Sequence, residues 1–538
     1  MSSISTLPPE LLLNITDFIH RSSDLKNLCR VSKKFHTTAV SRLYECTKLD
    51  LDNLSSAGPN GFFTAGNPGP KHVKKLSFIP SGPRDPIDAV KVIKMAILLC
   101  AKDGLRSLKL PNKIKLDDDL FVMIYTNQQK LQSVELGLPG EILGTHLQSS
   151  TFPGTWPSTI KSLCIPDFIE SSQDLEAYGS LLARLHNLQE LEIHTQSFTS
   201  DELDSTPLRE SVDEESLVLK TLLASNEQGN KMRAMQLKRL VLNRQDLRYP
   251  RRILTSSIKF SMLVTLDLQQ CNSTSTLLDI LATDFREHGS KLQALKATFD
   301  TQDCTALTSF LRSFCGLRAL KLYYGSDVNG SNFDLNWLAT HEPTLKQLQV
   351  CAWDPSATIN GSVPLPLRSY APLSKGFPKL SCVATAMPLI RLPDVGAPED
   401  DSLQAYFAAF DAIVTNRQRK LIYFIGNLLM ETGGLVQPLP LQSPEVKQLY
   451  DELNMRRYAE RLDRFADQLF ARIAGIRGTT SREAAPSLIF IGRVTCEHGS
   501  DLTSPIEVIS YVPSTQSSAL GPIRLAGTRV SIRDLASI

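Results

Sequence analysis

The 538-residue chain has no excess of charge of either sign, since 58 lysines and arginines stand against 56 aspartates and glutamates for a net charge of +2. A general binder of nucleic acid or of an acidic membrane surface would be basic overall or along one stretch, so neither partner is expected. The basic cluster at residues 417–420 is too small to change this. Long apolar runs are also missing. The most apolar stretch, residues 421–430, is about half of the ~20 residues that a spanning helix needs, and it contains Asn427. The first ten residues hold no basic segment followed by an apolar core, which argues against a secretory signal and for a cytoplasmic or nuclear protein, or one present in both. The ten cysteines are scattered singly with no CxxC pair, and read as reduced, mostly buried thiols.

Catalytic signatures are absent as well. Nine dispersed histidines form no HExxH, and the pair Cys496 and His498 is too small a set for zinc. There is no GxxxxGK[ST] loop, no GxSxG elbow and no GxGxxG. No catalytic residue, cofactor or metal is therefore expected, and the chain reads as a non-enzyme. What the sequence does have is the composition of a folded protein, with 42% hydrophobic and 21% charged residues. The length implies about three domains or one repeat array.

Residues 1–50 carry a helical pattern. Leu11, Ile15, Phe18 and Ile19 recur on one face, and Pro8-Pro9 marks the start, where a missing N–H costs nothing. Asp24 is the expected N-cap of a second helix bearing Leu25, Leu28 and Cys29, and a third carries Val31, Phe35, Ala39 and Leu43. Three short helices bury too little apolar surface to be comfortably stable alone, which suggests that a partner completes one face.

The opening Leu-Pro-Pro-Glu-Leu-Leu of residues 7–12, the Asp24-Leu25 pair and the Val31-Ser-Lys-Lys-Phe35 ending closely resemble the F-box, over less than a tenth of the chain. The resemblance implies docking onto a Skp-type adaptor and, through it, a cullin. Position by position it assigns adaptor contact to Leu7, Pro8, Leu11, Leu12, Ile15, Leu25, Leu28, Val31 and Phe35. Apolar anchors at i, i+4 spacing suit such a helix-in-groove contact. Some of the nine must instead hold the helices together, with Pro8 and Leu11 expected outside and Phe35 inside.

Between residues 73 and 385 a phrase with apolar residues at positions 1, 4 and 6 returns eleven times, as in Leu105, Leu108 and Leu110 or Leu317, Leu320 and Leu322. Its starts step by 25 to 32 residues, interrupted by one step of 49 and one of 35, and in nine of the eleven copies the second residue is Lys, Arg or Gln. The phrase resembles the strand of leucine-rich repeats, although the Asn or Cys that closes such strands is mostly missing, with Asn112 and Cys271 the nearest candidates. Helical patterns lie between the strands at residues 87–101, 175–185, 277–285 and 307–314.

The expected fold is thus α/β, with an N-terminal three-helix F-box followed by a leucine-rich-repeat solenoid of parallel inner sheet and outer helices. Its expected parts are residues 1–50, a flexible Gly/Pro-rich connector at 51–70, the array at 71–397 with an acidic insertion near 196–230, and degenerate repeats or a cap at 398–538. A Pro/Ser-rich loop is expected at 354–376. In the last region, residues 403–413, 420–430 and 446–473 read as helices, and 487–491, 506–512 and 523–525 as strands. A separate small domain is the alternative there.

Period-two alternation sends the odd positions of each strand to the open face. Arg239, Asp267, Lys296, Lys321, Tyr323, Tyr324 and Trp353 form the expected target surface, rich in cations and aromatics from Lys296 onward. The expected function is that of a non-catalytic substrate-recognition subunit of an SCF-type (cullin-RING) ubiquitin ligase, binding an unknown protein target. The alternatives are an F-box scaffold not coupled to ubiquitin transfer and a plain leucine-rich binding protein with a helical cap.

Overall fold

The computed structural model describes most of residues 7–51, 60–194, 234–352, 370–386, 401–425 and 444–478, together with strands between 429 and 530. The chain divides into two compact units, Met1–Leu263 and Val264–Ile538. The fold is α/β, with parallel strands and intervening helices.

The first unit opens with three helices, α1 (Pro9–Asp17), α2 (Ser22–Val31) and α3 (Lys33–Glu45). Pro8 is the N-cap of α1, as the sequence requires. Asp24 is not the cap of α2: that helix begins two residues earlier behind Arg21, and Asp24 lies in its first turn, where a carboxylate favours the positive helix end. Ser32 caps α3 by accepting the Phe35 amide at 3.2 Å. Leu12, Leu25, Phe35 and Ala39 are buried among the helices.

Strands β1 (Cys46–Asp50), β2 (Lys75–Ile79), β3 (Ser107–Lys109), β4 (Ser133–Glu135), β5 (Ser162–Ile165), β6 (Glu190–His194) and β7 (Arg239–Asn243) follow, each parallel to the next in chain order. The connector is partly built in. Residues Asn60–Phe63 form a helical turn with Phe62 buried, and Gly69 begins a 3-10 turn whose missing Cβ leaves room for the Tyr44 ring of α3.

The second unit continues in the same manner. Strands β8 (Thr265–Gln269), β9 (Ala294–Phe299), β10 (Ala319–Tyr324), β11 (Gln347–Ala352), β12 (Cys382–Ala386) and β13 (Leu421–Ile425) pair in parallel and in order. A short β14 (Leu429–Met430) pairs with β16 (Thr495–Cys496). β13 pairs in parallel with β15 (Ser487–Gly492), after which β17 (Glu507–Gln516) and β18 (Arg524–Val530) close the edge antiparallel.

Every copy of the repeated phrase is a strand beginning two residues after its first apolar position. The first, fourth and sixth positions are buried wherever they are described, each worth roughly 1.5–3 kcal/mol of transfer free energy for a large aliphatic. The second position has a backbone role. Its carbonyl accepts two amides from the following repeat, as Lys74 does from Arg106 and Ser107, and Gln293 from Arg318 and Ala319. Its side chain stands at the solvent-facing strand entrance, which suits Lys, Arg and Gln.

Side chains just ahead of several strands satisfy backbone groups of the preceding repeat. Gln128 accepts the Leu105 amide at 3.0 Å, His341 accepts that of Leu317 at 3.4 Å, and Thr159 and Thr344 donate to the carbonyls of Leu131 and Leu317. Each supplies a partner that a buried backbone group would otherwise lack. Cys271 is buried, and Asn112 lies outside the described residues.

Residues 420–430, expected as a helix, hold β13 and β14 instead. The run Leu-Ile-Tyr-Phe-Ile is β-branched and aromatic, and five residues are too few for periodicity to decide. The Lys420 amide donates to the Ser381 carbonyl, the same bond made at the entrances of β2 to β7 and of β9 to β12. The helices expected on either side are present as Asp401–Val414 and Pro444–Arg477. They meet through Tyr406, Phe407 and Phe465, and through Arg472, which pairs with Asp411 at 2.5 and 2.6 Å. Buried Arg477 donates to the carbonyls of Val414 and Asn416 and so satisfies the end of the shorter helix.

Of the eight described cysteines, all free, only Cys100 and Cys271 are buried, fewer than composition alone suggests. No described helix is long and apolar enough to cross a membrane. The acidic stretch 200–215 and most of the 354–376 loop lie outside the described residues.

Candidate functional site

Two surfaces of different chemistry carry the residues singled out by sequence. The first is apolar and lies on the N-terminal helices. The structure divides the nine candidate positions: Leu12, Leu25 and Phe35 are core, Leu7 and Leu28 are half-buried, and Pro8, Leu11, Ile15 and Val31 are exposed. Leu11 is 47% exposed and Val31 67%. Two residues outside the nine join them. Leu13 is exposed, and Phe18, just past the end of α1, is 82% exposed. Phe18 had a sequence signal, since it continues the i, i+4, i+7 face of α1, but periodicity could not say which apolar face of so small a unit is turned outward. Polar contacts brace the helices behind this surface: the Lys34 ammonium donates to the Leu7 carbonyl, and Arg42 pairs with Asp17 at 3.7 Å and with Glu45.

The second surface is the partly exposed face of the strands, present in each unit. In the first unit, register aligns Lys109, Glu135, Cys164 and Glu192 across β3 to β6. Lys109 and Glu135 pair at 2.7 Å. Glu192 accepts from His194 Nε2 at 2.7 Å and from Arg239 at 3.1 Å, and Asn243 donates to His194 Nδ1 at 3.1 Å. The His194 hydrogen bond holds the Glu192 carboxyl below the usual carboxylate range; burial opposes this and Arg239 assists it. Burial, with the charges of Glu135 and Glu192 adding to it, pushes the Cys164 thiol well above its ordinary value. Among the described residues, Cys164, Glu192 and His194 are one group of three potential metal ligands that lies together.

In the second unit, Asp267, Lys296, Lys321 and Gln349 share a register row across β8 to β11. Lys296 lies 3.7 Å from Asp267 and 5.9 Å from the centroid of the Tyr323 ring, whose hydroxyl accepts from Gln349 at 3.0 Å. Lys321 is exposed, while Thr298, on the same face, is buried. The side chain of Tyr324 and all of Trp353 lie outside the described residues. Both surfaces are suited to recognition: the helices offer desolvation of aliphatic and aromatic groups, and the strand faces offer oriented polar groups on a rigid sheet.

No family model and no curated protein matches this chain.

Proposed function

We propose that this chain is the substrate-recognition subunit of an SCF-type ubiquitin ligase: an F-box protein whose helices dock on a Skp-type adaptor and whose leucine-rich-repeat strands hold a protein target. The observation that carries this reading is the exposed set of Pro8, Leu11, Leu13, Ile15, Phe18 and Val31 on helices that already possess their own core. Exposing several large apolar side chains on so small a unit is unfavourable unless a partner covers them. Their placement at helical spacing suits insertion of α1 into an apolar groove.

Catalysis in such an assembly comes from proximity. A receptor holds the target lysine close to a charged conjugating enzyme, which turns a bimolecular encounter into an effectively intramolecular one. This chain would supply no reacting group. Lys321, with Lys296, Tyr323 and Gln349 on adjacent strands, supports a target with acidic and aromatic character on the second unit; Arg239 and Asp267 belong to the polar rows of the two units.

The test is co-purification with a Skp-type adaptor. Leu11→Asp and Phe18→Asp are expected to weaken capture at least tenfold while circular dichroism stays unchanged, because both side chains are exposed in the free chain. Deletion should remove residues 1–45 and not 1–50, since β1 is hydrogen-bonded to β2. Undiminished capture by these variants would overturn the adaptor assignment. Ubiquitin transfer to partners trapped by the intact chain, lost in Lys321→Glu with Tyr323→Ala, tests the target surface.

A further inference from the structure

We infer that Cys164, Glu192 and His194 form a binding site for a divalent transition-metal ion, with zinc the ion best matched to the donors. The three ligands come from two adjacent strands of the first unit. Cys164 on β5 and Glu192 on β6 are register partners, and His194 lies two residues beyond Glu192, so strand alternation returns it to the same face. Their donor atoms, Cys164 Sγ, a Glu192 carboxylate oxygen and a His194 ring nitrogen, all lie within 4.8 Å of one another. Bonds of about 2.0–2.3 Å in a tetrahedral zinc site need donors roughly 3.3–3.8 Å apart, so small side-chain rotations bring these three into range. All three are half-buried, which gives an ion both access and shelter.

The surroundings hold the ligands from behind. Glu192 Oε2 is bound by Arg239 at 3.1 Å, which leaves Oε1 to turn toward an ion. Oε1 now accepts the His194 Nε2 proton at 2.7 Å, and a cation would take that proton's place. The imidazole stays neutral as its proton moves to Nδ1, where Asn243, 3.1 Å away, can accept it after its amide turns over. The Cys164 thiol gives its proton to solvent, so one proton is released for each ion bound.

Glu135 and Glu192 flank Cys164 along the register row, and this pair of carboxylates favours a dication where it disfavours a bare thiolate. The combination of sulfur, nitrogen and oxygen donors selects zinc-class ions over calcium or magnesium. Three protein ligands leave the fourth position for water or a donor from a bound partner. In sequence the set is invisible, because Glu192 and His194 lie 28 and 30 residues beyond Cys164. Neither the ligands nor the test depends on adaptor binding.

The test uses the full-length chain with zinc alone in equilibrium dialysis, and cobalt(II) as a spectroscopic probe. Expected are one bound equivalent and a thiolate-to-cobalt charge-transfer band. Cys164→Ser should abolish the band, while Cys315→Ser, which alters an exposed cysteine, should leave it intact. His194→Gln should weaken zinc binding at least tenfold, and Asn243→Ala should do so to a smaller degree with the band retained. Absence of bound zinc in the wild-type chain, or a band that survives Cys164→Ser, would overturn the assignment. Circular dichroism on each variant separates loss of a ligand from loss of the fold.

Discussion

Leu11 and Leu12 are neighbours on one helix; Leu12 is fully buried and Leu11 is 47% exposed. Along the repeats the outcome is different. Among the described strand residues Ile79 alone is a large apolar side chain exposed to solvent, because each strand covers its apolar positions with its neighbours. A repeat array uses its hydrophobic residues to stack and keeps polar groups for its open face, whereas the N-terminal helices satisfy their core with a few residues and leave the rest outside. The helix Pro86–Leu99 is intermediate, with Met95, Leu98 and Leu99 exposed at one end.

The strongest challenge to this contrast is truncation of core positions in both regions. Leu320→Ala in β10 and Leu12→Ala in α1, both fully buried, should each cost about 2–5 kcal/mol in urea denaturation. If Leu12→Ala proved neutral, the helices would have no core of their own.

A pH titration of stability reports on the second unit alone. Burial, partly offset by the Leu311 carbonyl, lowers His341 to about 4 from an ordinary 6.5. The folded chain keeps the ring neutral while the unfolded chain protonates it, so this stability is complete above about pH 6.5 and lost as the pH falls toward 4. The loss should reach at most about 3 kcal/mol. In His341→Gln that part of the pH dependence should disappear, whereas substitutions in the helices should leave it unchanged.

Gly69→Ala probes the junction of the two regions. Its Cβ would lie 2.5 Å from the Tyr44 ring of α3, so a loss of about 1–3 kcal/mol is expected by thermal denaturation. Pairing it with Tyr44→Ala should recover part of that loss if the clash is the cause. The smallest effect belongs to Phe18→Ala and Leu11→Ala, which should change stability by no more than about 0.5 kcal/mol. A larger loss would mean that these side chains support the fold and are not free for a partner.

Much of the architecture was legible in the sequence. The eleven phrases located eleven strands because burial at positions 1, 4 and 6 is imposed at every repeat. β1 was not legible, since Cys46–Asp50 lacks the phrase, and β13 was misread because its core run is too short for period to choose between helix and strand. Among the nine N-terminal positions, sequence could not separate core from surface: i, i+4 spacing defines a face, but in a three-helix unit two faces of one helix can both be apolar. The exposure of Leu13 and Phe18 is hidden from spacing for the same reason.

The polar face was half legible. Alternation assigned Arg239, Asp267, Lys296, Lys321 and Tyr323 to it, but not their partners, because those come from strands 25 to 49 residues away in the chain. His194 and Cys164 gave no signal for the same reason.

Local spacing of apolar residues along a chain of fixed geometry suffices for the strands that carry the repeated phrase and for the side of each that is buried, but not for the start of the sheet, since β1 follows α3 directly at Cys46. The tertiary structure alone decided which apolar side chains of α1 and α2 stay in solvent, and which polar groups on neighbouring strands come within a few ångströms. Those outcomes depend on register and on competition for burial between distant segments, and no local pattern encodes either.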